Sequence, residues 1–246
     1  MSGVTKLLAP AKLTLALQVA GVREDGYHLI VAEMASLDLC DSIEITETGE
    51  SSVTVDGPYA RGVPVDDSNL VVKALRLAGR SAHVHITKNV PNGGGLGGGS
   101  SDAAAVLRWA GYSDLRAASL VGADIPFCMV GGRAVVTGIG EDVQPLPFVR
   151  RDITLVIPPL HVSTPAVYRK WDEMGGPRIH PVNHLTDAAI AVEPRLAEWQ
   201  QRITDAAGEE PVLAGSGATW FLHGHHPGIA AALAGASVIT TNTRPA

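Results

Sequence analysis

The chain has 246 residues, 46% of them hydrophobic, enough for one large or two small packed domains and too apolar for a disordered chain. Its net charge is −6 and it carries no Lys/Arg-rich run, which excludes nucleic acid as an expected partner but leaves a small anionic ligand open. No stretch suits a secretion signal or a bilayer span, and Cys40 and Cys128 stand isolated, so the expectation is a cytoplasmic protein with free thiols and no membrane partner.

Aromatic residues make up only 4%, so the core must be aliphatic. Residues 10–19 alternate strictly, predicting a strand with Leu13, Leu15, Leu17 and Val19 on one face. Lys12 and Thr14 share the other face and can point at one ligand; a lysine there can equally be a solvated strand residue. Asp25-Gly26-Tyr27-His28 carries a hairpin-turn signal. Ile43 and Ile45, then Val53 and Val55, predict a strand pair, and Asp67 or Ser68 is placed to cap a helix that runs through Leu77.

Val84 and Ile86 alternate with His83, His85 and Thr87, which reads as a strand, and six of the seven residues from 93 to 99 are then glycine. Ala103-Ala104-Ala105-Val106-Leu107 follows at once, a helix that Ser100, Ser101 or Asp102 could cap and Gly111 could end. Strand, glycine loop and helix N-terminus in succession make a phosphate cradle, because inward backbone N–H groups and the positive end of the helix dipole converge there. A flexible linker is the plain alternative. The loop also matches G-x-G-x-x-G at Gly93, Gly95 and Gly98, but six glycines satisfy many patterns, and Asp124 lies in a turn rather than at a strand end. A P-loop is excluded, since no Gly-Lys-Ser/Thr follows.

Asp114 is placed to cap a short helix to Val121. Asp124 then sits in Gly122-Ala123-Asp124-Ile125-Pro126-Phe127, within an apolar stretch, where a carboxylate must be paired, functional or exposed; a turn or N-cap aspartate is the alternative. Residues 135–137 read as a strand, Pro145 and Pro147 mark a break, and residues 153–157 open a second region. Thr164-Pro165 predicts a helix start, residues 194–207 a further helix, and residues 214–218 a second small-residue loop leading into a strand at 219–223. Residues 227–233 read as helical and residues 237–240 as a last strand. His223, His225 and His226 form a possible metal cluster or, more simply, a solvated loop. Without strict βαβ alternation, the fold class is α+β.

Pro10-Ala11-Lys12-Leu13, Asp25-Gly26-Tyr27-His28, the glycine loop and Gly122-Ala123-Asp124-Ile125-Pro126-Phe127 occur in the order and at the spacing of the GHMP small-molecule kinases. The chain resembles that family over nearly its whole length. Leu37-Asp38-Leu39 with Asp41, Asn69-Leu70, Gly138-Ile139-Gly140-Glu141, Ser163-Thr164 and Gly215-Ser216-Gly217 extend the likeness. The resemblance implies a two-lobed α+β fold. A lobe like the second domain of ribosomal protein S5, over residues 1–150, would bind ATP and hold the catalytic groups. A ferredoxin-like lobe would span residues 151–246, with the active site between the two.

The resemblance also implies roles. Asp124 would take the proton of the substrate hydroxyl, and Lys12 would stand beside it and neutralise charge on the moving phosphoryl group. Pro91, Gly93, Gly94, Gly95, Leu96, Gly97, Gly98, Gly99, Ser100 and Ser101 would hold the ATP phosphates, with Ser101 a weak candidate for Mg²⁺. Asn69, Leu70 and Lys88 would lie around the adenosine end. The implied acceptor is a methylerythritol linked to cytidine diphosphate. Tyr27 would stack on its cytosine, His28 would read the polar edge, and Thr14 and Tyr168 would add contacts. Tyr27 read without the family is a turn aromatic packing on its neighbours. The assembly expected is a monomer or homodimer.

Thr14 stands where the family usually has Asn, Asn183-His184-Leu185 replaces Asn-Asp-Leu, Ala214 replaces Ser, and residues 110–122 are fewer than usual. A sister kinase for another small alcohol and a non-catalytic nucleotide-binding protein remain competing readings, as, more distantly, does a nicotinamide-dependent dehydrogenase. Intact Lys12 and Asp124 argue against a non-catalytic protein.

Overall fold

The computed structural model describes residues 3–176 and 180–246; Met1 and Ser2, at the head of the N-terminal segment, lie outside the described residues. A long hairpin organises the first half. Strand β1 (Thr5–Val22) pairs antiparallel with β2 (His28–Glu47) across the turn at Asp25-Gly26, where Gly26 adopts φ +87°. The far edge of β2 is shared. Its first half pairs with β5 (Arg133–Gly138), and its second half pairs with β4 (Ala82–Thr87). Strand β3 (Ser52–Asp56) lies parallel to β4, and β6 (Asp142–Leu146) closes the other edge against β5.

Two strand expectations change. The segments around Ile43 and Val53 do not pair with each other, because β4 inserts between them. Pro145 does not break the chain. It sits in the edge strand β6, where its missing N–H removes no ladder bond. In β1 the register slips between Thr14 and Ala16. The bulge turns the strand, so Leu13 and Leu15 pack in one core cluster while Leu17 and Val19 pack in the other, rather than all four on one face.

The helices of this half are α1 (Leu70–Leu77), α2 (Gly98–Trp109), α3 (Leu115–Val121) and α4 (Ile125–Val130). Helix α2 is buried from Ser101 to Leu107 and packs on β1, α1 and α4. Its run of three alanines lets those neighbours approach closely. Asp114 caps α3 by accepting from Ala117 N at 3.0 Å, as its position predicts. The cap of α1 is Asn69, one residue beyond Ser68 and two beyond Asp67: its side chain accepts from Val71 N at 2.8 Å.

The second half forms a four-stranded antiparallel sheet in the order β10 (Ser237–Asn242), β7 (Asp152–Ile157), β9 (Trp220–His223), β8 (Val212–Leu213). Helices α5 (Thr164–Glu173), α6 (Thr186–Val192) and α7 (Arg195–Ala207) accompany it, and residues Pro227–Ala231 form a 3₁₀ turn. No signal in the alternation exposed α6, which is a short helix. One core cluster joins β1 to β7 and β9 through Leu13, Leu15, Ile153, Leu155 and Phe221, so the two sheets share apolar packing. Among the described residues no helix is long and apolar enough to cross a membrane, and no cluster of three or more metal-ligating side chains occurs, His223, His225 and His226 included.

Candidate active site

Helix α2 begins without a side-chain cap. Its N-cap position is Gly97, in the left-handed region at φ +67°, so Ser100, Ser101 and Asp102 lie inside the helix rather than at its cap. The first-turn amides therefore have no protein side chain to donate to, which leaves them for an anion. The glycine loop approaches its neighbours too closely for side chains. A Cβ on Gly97 would stand 2.6 Å from Lys12 Cγ, and one on Gly95 would stand 2.8 Å from the Gly217 carbonyl oxygen. The first small-residue loop thus lies between the β1 lysine and the second small-residue loop.

Lys12 is 6% exposed. Its N–H donates to Leu96 O at 2.9 Å, and its ammonium lies 3.2 Å from Thr14 Oγ1 and 3.3 Å from Asp124 Oδ2. Asp124 occupies the N-cap position of α4 but its carboxylate makes no capping bond. The turn-and-cap alternative therefore leaves that carboxylate unexplained, and its partner is Lys12. Both groups line a cavity of about 710 Å³ bounded by the β1–β2 hairpin, α5 and the second small-residue loop.

The cavity's other wall comes from the hairpin turn and from α5. Tyr27 is exposed at its rim, with the Arg23 guanidinium 5.6 Å from the ring centroid. The His28 ring lies 4.7 Å from the Tyr168 ring and edge-on to Trp171, and its Nε2 pairs with Asp172 Oδ1 at 2.8 Å. Enclosure raises the Tyr168 phenol pKa well above its ordinary value, and the Asp124 charge adds to the shift. Burial likewise pushes the Cys128 thiol up to about 12, so it is inert.

Four residues expected at the ligand also have structural partners. Lys88 is 3% exposed, and its ammonium is enclosed by Asp41 and by Asp102 Oδ2, the latter at 2.7 Å; it supports the loop from beneath and faces no open space. Asp41 also accepts from the backbone N–H of Asn89 and Val90, tying the loop's entry to the same cluster. Ser101 is fully buried and donates to Pro10 O at 2.6 Å, so it joins α2 to β1 and is no open metal ligand. Asn69 is used twice, capping α1 and donating to Pro64 O at 2.6 Å. The Leu96 side chain is buried in the core, leaving only its backbone to the loop. Leu70 lies near Gly99 and Gly122, beside the start of α2.

Sequence reasoning missed Arg23, Asp172, Thr164 and Ser216, which also line the cavity. Thr164 reads as a helix cap, but the N-cap position is Ser163, and Thr164 Oγ1 instead meets Ser216 Oγ at 2.8 Å. That contact joins α5 to the second small-residue loop, and nothing in the local pattern reveals it.

The family model for the GHMP kinases N terminal domain matches residues 69–132, the span from the α1 cap through the glycine loop to the end of α4. The chain is 38% identical over 232 residues to a 4-diphosphocytidyl-2-C-methyl-D-erythritol kinase of Paracoccus denitrificans, covering 87% of this chain and 84% of that one. It is 35% identical over 240 residues to the kinase of that name from Ruegeria pomeroyi, covering 87% and 86%. A crystal structure of a 4-(cytidine 5'-diphospho)-2C-methyl-D-erythritol kinase superposes with a TM-score of 0.77 at 29% identity, covering 98% of this chain and all of that one. The chain belongs to the 4-diphosphocytidyl-2-C-methyl-D-erythritol kinases, within the GHMP family of ATP-dependent small-molecule kinases.

Proposed function

We propose that this chain transfers the γ-phosphoryl group of ATP to the 2-hydroxyl of 4-diphosphocytidyl-2-C-methyl-D-erythritol, with Asp124 as general base and Lys12 as charge stabiliser. The observation that carries the reading is the Lys12–Asp124 pair, 3.3 Å apart, in a cavity beside the uncapped start of α2. Asp124 accepts the proton of the acceptor hydroxyl while that oxygen bonds the γ-phosphorus and the bond to ADP breaks. Lys12 faces both the carboxylate and the loop, where negative charge moves from the nucleophile towards the leaving group.

Residues 1–150 are read as the ATP-binding and catalytic part and residues 151–246 as the other lobe, with Tyr168, Thr164 and Ser216 closing the cavity. The loop amides and the first turn of α2 would take the phosphates. Mg²⁺, when bound, supplies further neutralisation of phosphate charge. No protein cage for it exists among the described residues, so the ion would be carried mainly on phosphate oxygens and water, with the half-buried Ser100 replacing Ser101 as candidate hydroxyl. On the acceptor side, Tyr27 and Tyr168 offer ring faces to a nucleobase. His28 offers the ring edge that Asp172 does not occupy.

Asp124→Asn keeps the shape and removes the base. Turnover should fall by ~10²–10⁴-fold while nucleotide binding, followed by calorimetry, stays near normal. Turnover close to that of the unaltered protein would overturn the role given to Asp124.

A further inference from the structure

The Asp124 carboxylate makes no bond to its own helix, while its backbone carbonyl accepts from Cys128 N at 3.1 Å, so the placement of the carboxylate depends on the backbone that carries it. That backbone rests on the turn between β5 and β6. Gly140, at φ +118°, lies directly against the Ala123 carbonyl, and a Cβ there would overlap the carbonyl oxygen. The turn has its own brace: Glu141 Oε2 accepts from Ile139 N at 2.7 Å, folding the carboxylate back across the turn. Ile139 and Ala123 both line the cavity beside Asp124. The face of the turn that meets α4 is thus glycine backbone, held in shape by one glutamate.

We propose that the turn at residues 138–141 is a backstop that sets the position of Asp124 relative to Lys12, with Gly140 as the positioning residue and Glu141 as its brace. The proposal rests on the reading of Asp124 as the base. A side chain on Gly140 pushes the Ala123 carbonyl, and with it the Asp124 Cα, away from the turn. The expected loss is then in the chemical step more than in binding, because the atoms nearest a Cβ on Gly140 all belong to Ala123, the residue before the base.

The test compares Gly140→Ala, Asp124→Asn and the double variant by steady-state kinetics. Gly140→Ala should lower kcat by ~10–100-fold, the scale of a misplacement of about 1 Å, with KM for both substrates little changed. Added to Asp124→Asn it should lower kcat no further, since its effect passes through the base. A normal kcat, or an equal further loss in the Asp124→Asn background, would overturn the proposal. Glu141→Ala and Glu141→Gln give a second arm that does not depend on Gly140→Ala folding. The amide oxygen of Gln still accepts from Ile139 N, so Gln should restore the kcat that Ala loses, and equal activity in the two would count against the brace. If Asp124→Asn itself keeps turnover, the base assignment falls and this proposal with it. If Asp124→Asn is inactive while Gly140→Ala is unimpaired, only the backstop falls.

Discussion

Lys12 is held by three contacts from two parts of the chain: the Leu96 carbonyl on its backbone, Asp124 on its ammonium, and the Gly97 backbone along its stem. Gly97→Ala disturbs the last of these. Its φ of +67° disfavours any side chain, and the new methyl group would displace the Lys12 stem. We expect a ~10–100-fold loss of turnover from the misplaced ammonium, larger than the change in thermal stability would suggest. A variant with normal turnover would show that the lysine tolerates the shift. The pairing of Lys12 with Asp124 agrees with what the family resemblance implied, and a lysine inside an alternating strand and an acid in an apolar turn both need a partner. The structural partners of Lys88, Asn69 and Ser101 were not readable in the same way. A polar residue beside a ligand loop looks the same in sequence whether it faces the ligand or braces the loop from behind.

Among the elements, α2 and its loop carry both the proposed phosphate site and a buried charge cluster. Asp102 on α2 shares Lys88 with Asp41, and its Oδ1 has no hydrogen-bond partner. Burial raises its carboxyl most, the Lys88 ammonium partly offsets this, and the Asp41 charge raises it further, to about 7 from an ordinary 3.8. With the folded value above the unfolded one, the folded state holds an extra proton between those limits. That contribution to stability is complete below about pH 4 and is lost as pH rises towards 7. Asp102→Asn should flatten this part of the stability profile, measured by denaturant unfolding from pH 4 to 8. An unchanged slope would mean that Asp102 is ionised throughout. Asn69→Ala tests the start of α1. Loss of the cap costs about 1 kcal/mol, or ~2–4 °C in Tm, with KM for ATP unchanged. An unchanged Tm with a raised KM would make Asn69 a ligand contact instead. Helix ends were mostly legible, because caps and glycines act locally. Strand partners were not: β4 reaches its place between β2 and β3 only after α1 has crossed, and no local pattern records that.

At the scale of the whole molecule, the cavity exists because β1 bulges and both sheets pack on it. Its charged floor comes from Lys12 and Asp124, and its aromatic wall from Tyr27, His28 and Tyr168. The α+β class and the glycine loop that opens α2 were legible, since periodicity and glycine clustering survive in one dimension. The contacts that close the cavity, His28 with Asp172 and Thr164 with Ser216, join residues far apart in sequence and were not. Thr14, which stands where the family usually has Asn, lines the cavity within hydrogen-bond distance of Lys12. The most direct measurement is Mg²⁺-dependent ATP consumption with 4-diphosphocytidyl-2-C-methyl-D-erythritol, run beside mevalonate, homoserine and galactose. The account predicts turnover with the cytidine substrate alone. Turnover with one of the other alcohols and none with the cytidine substrate would contradict it, as would silence with all four while ATP still binds.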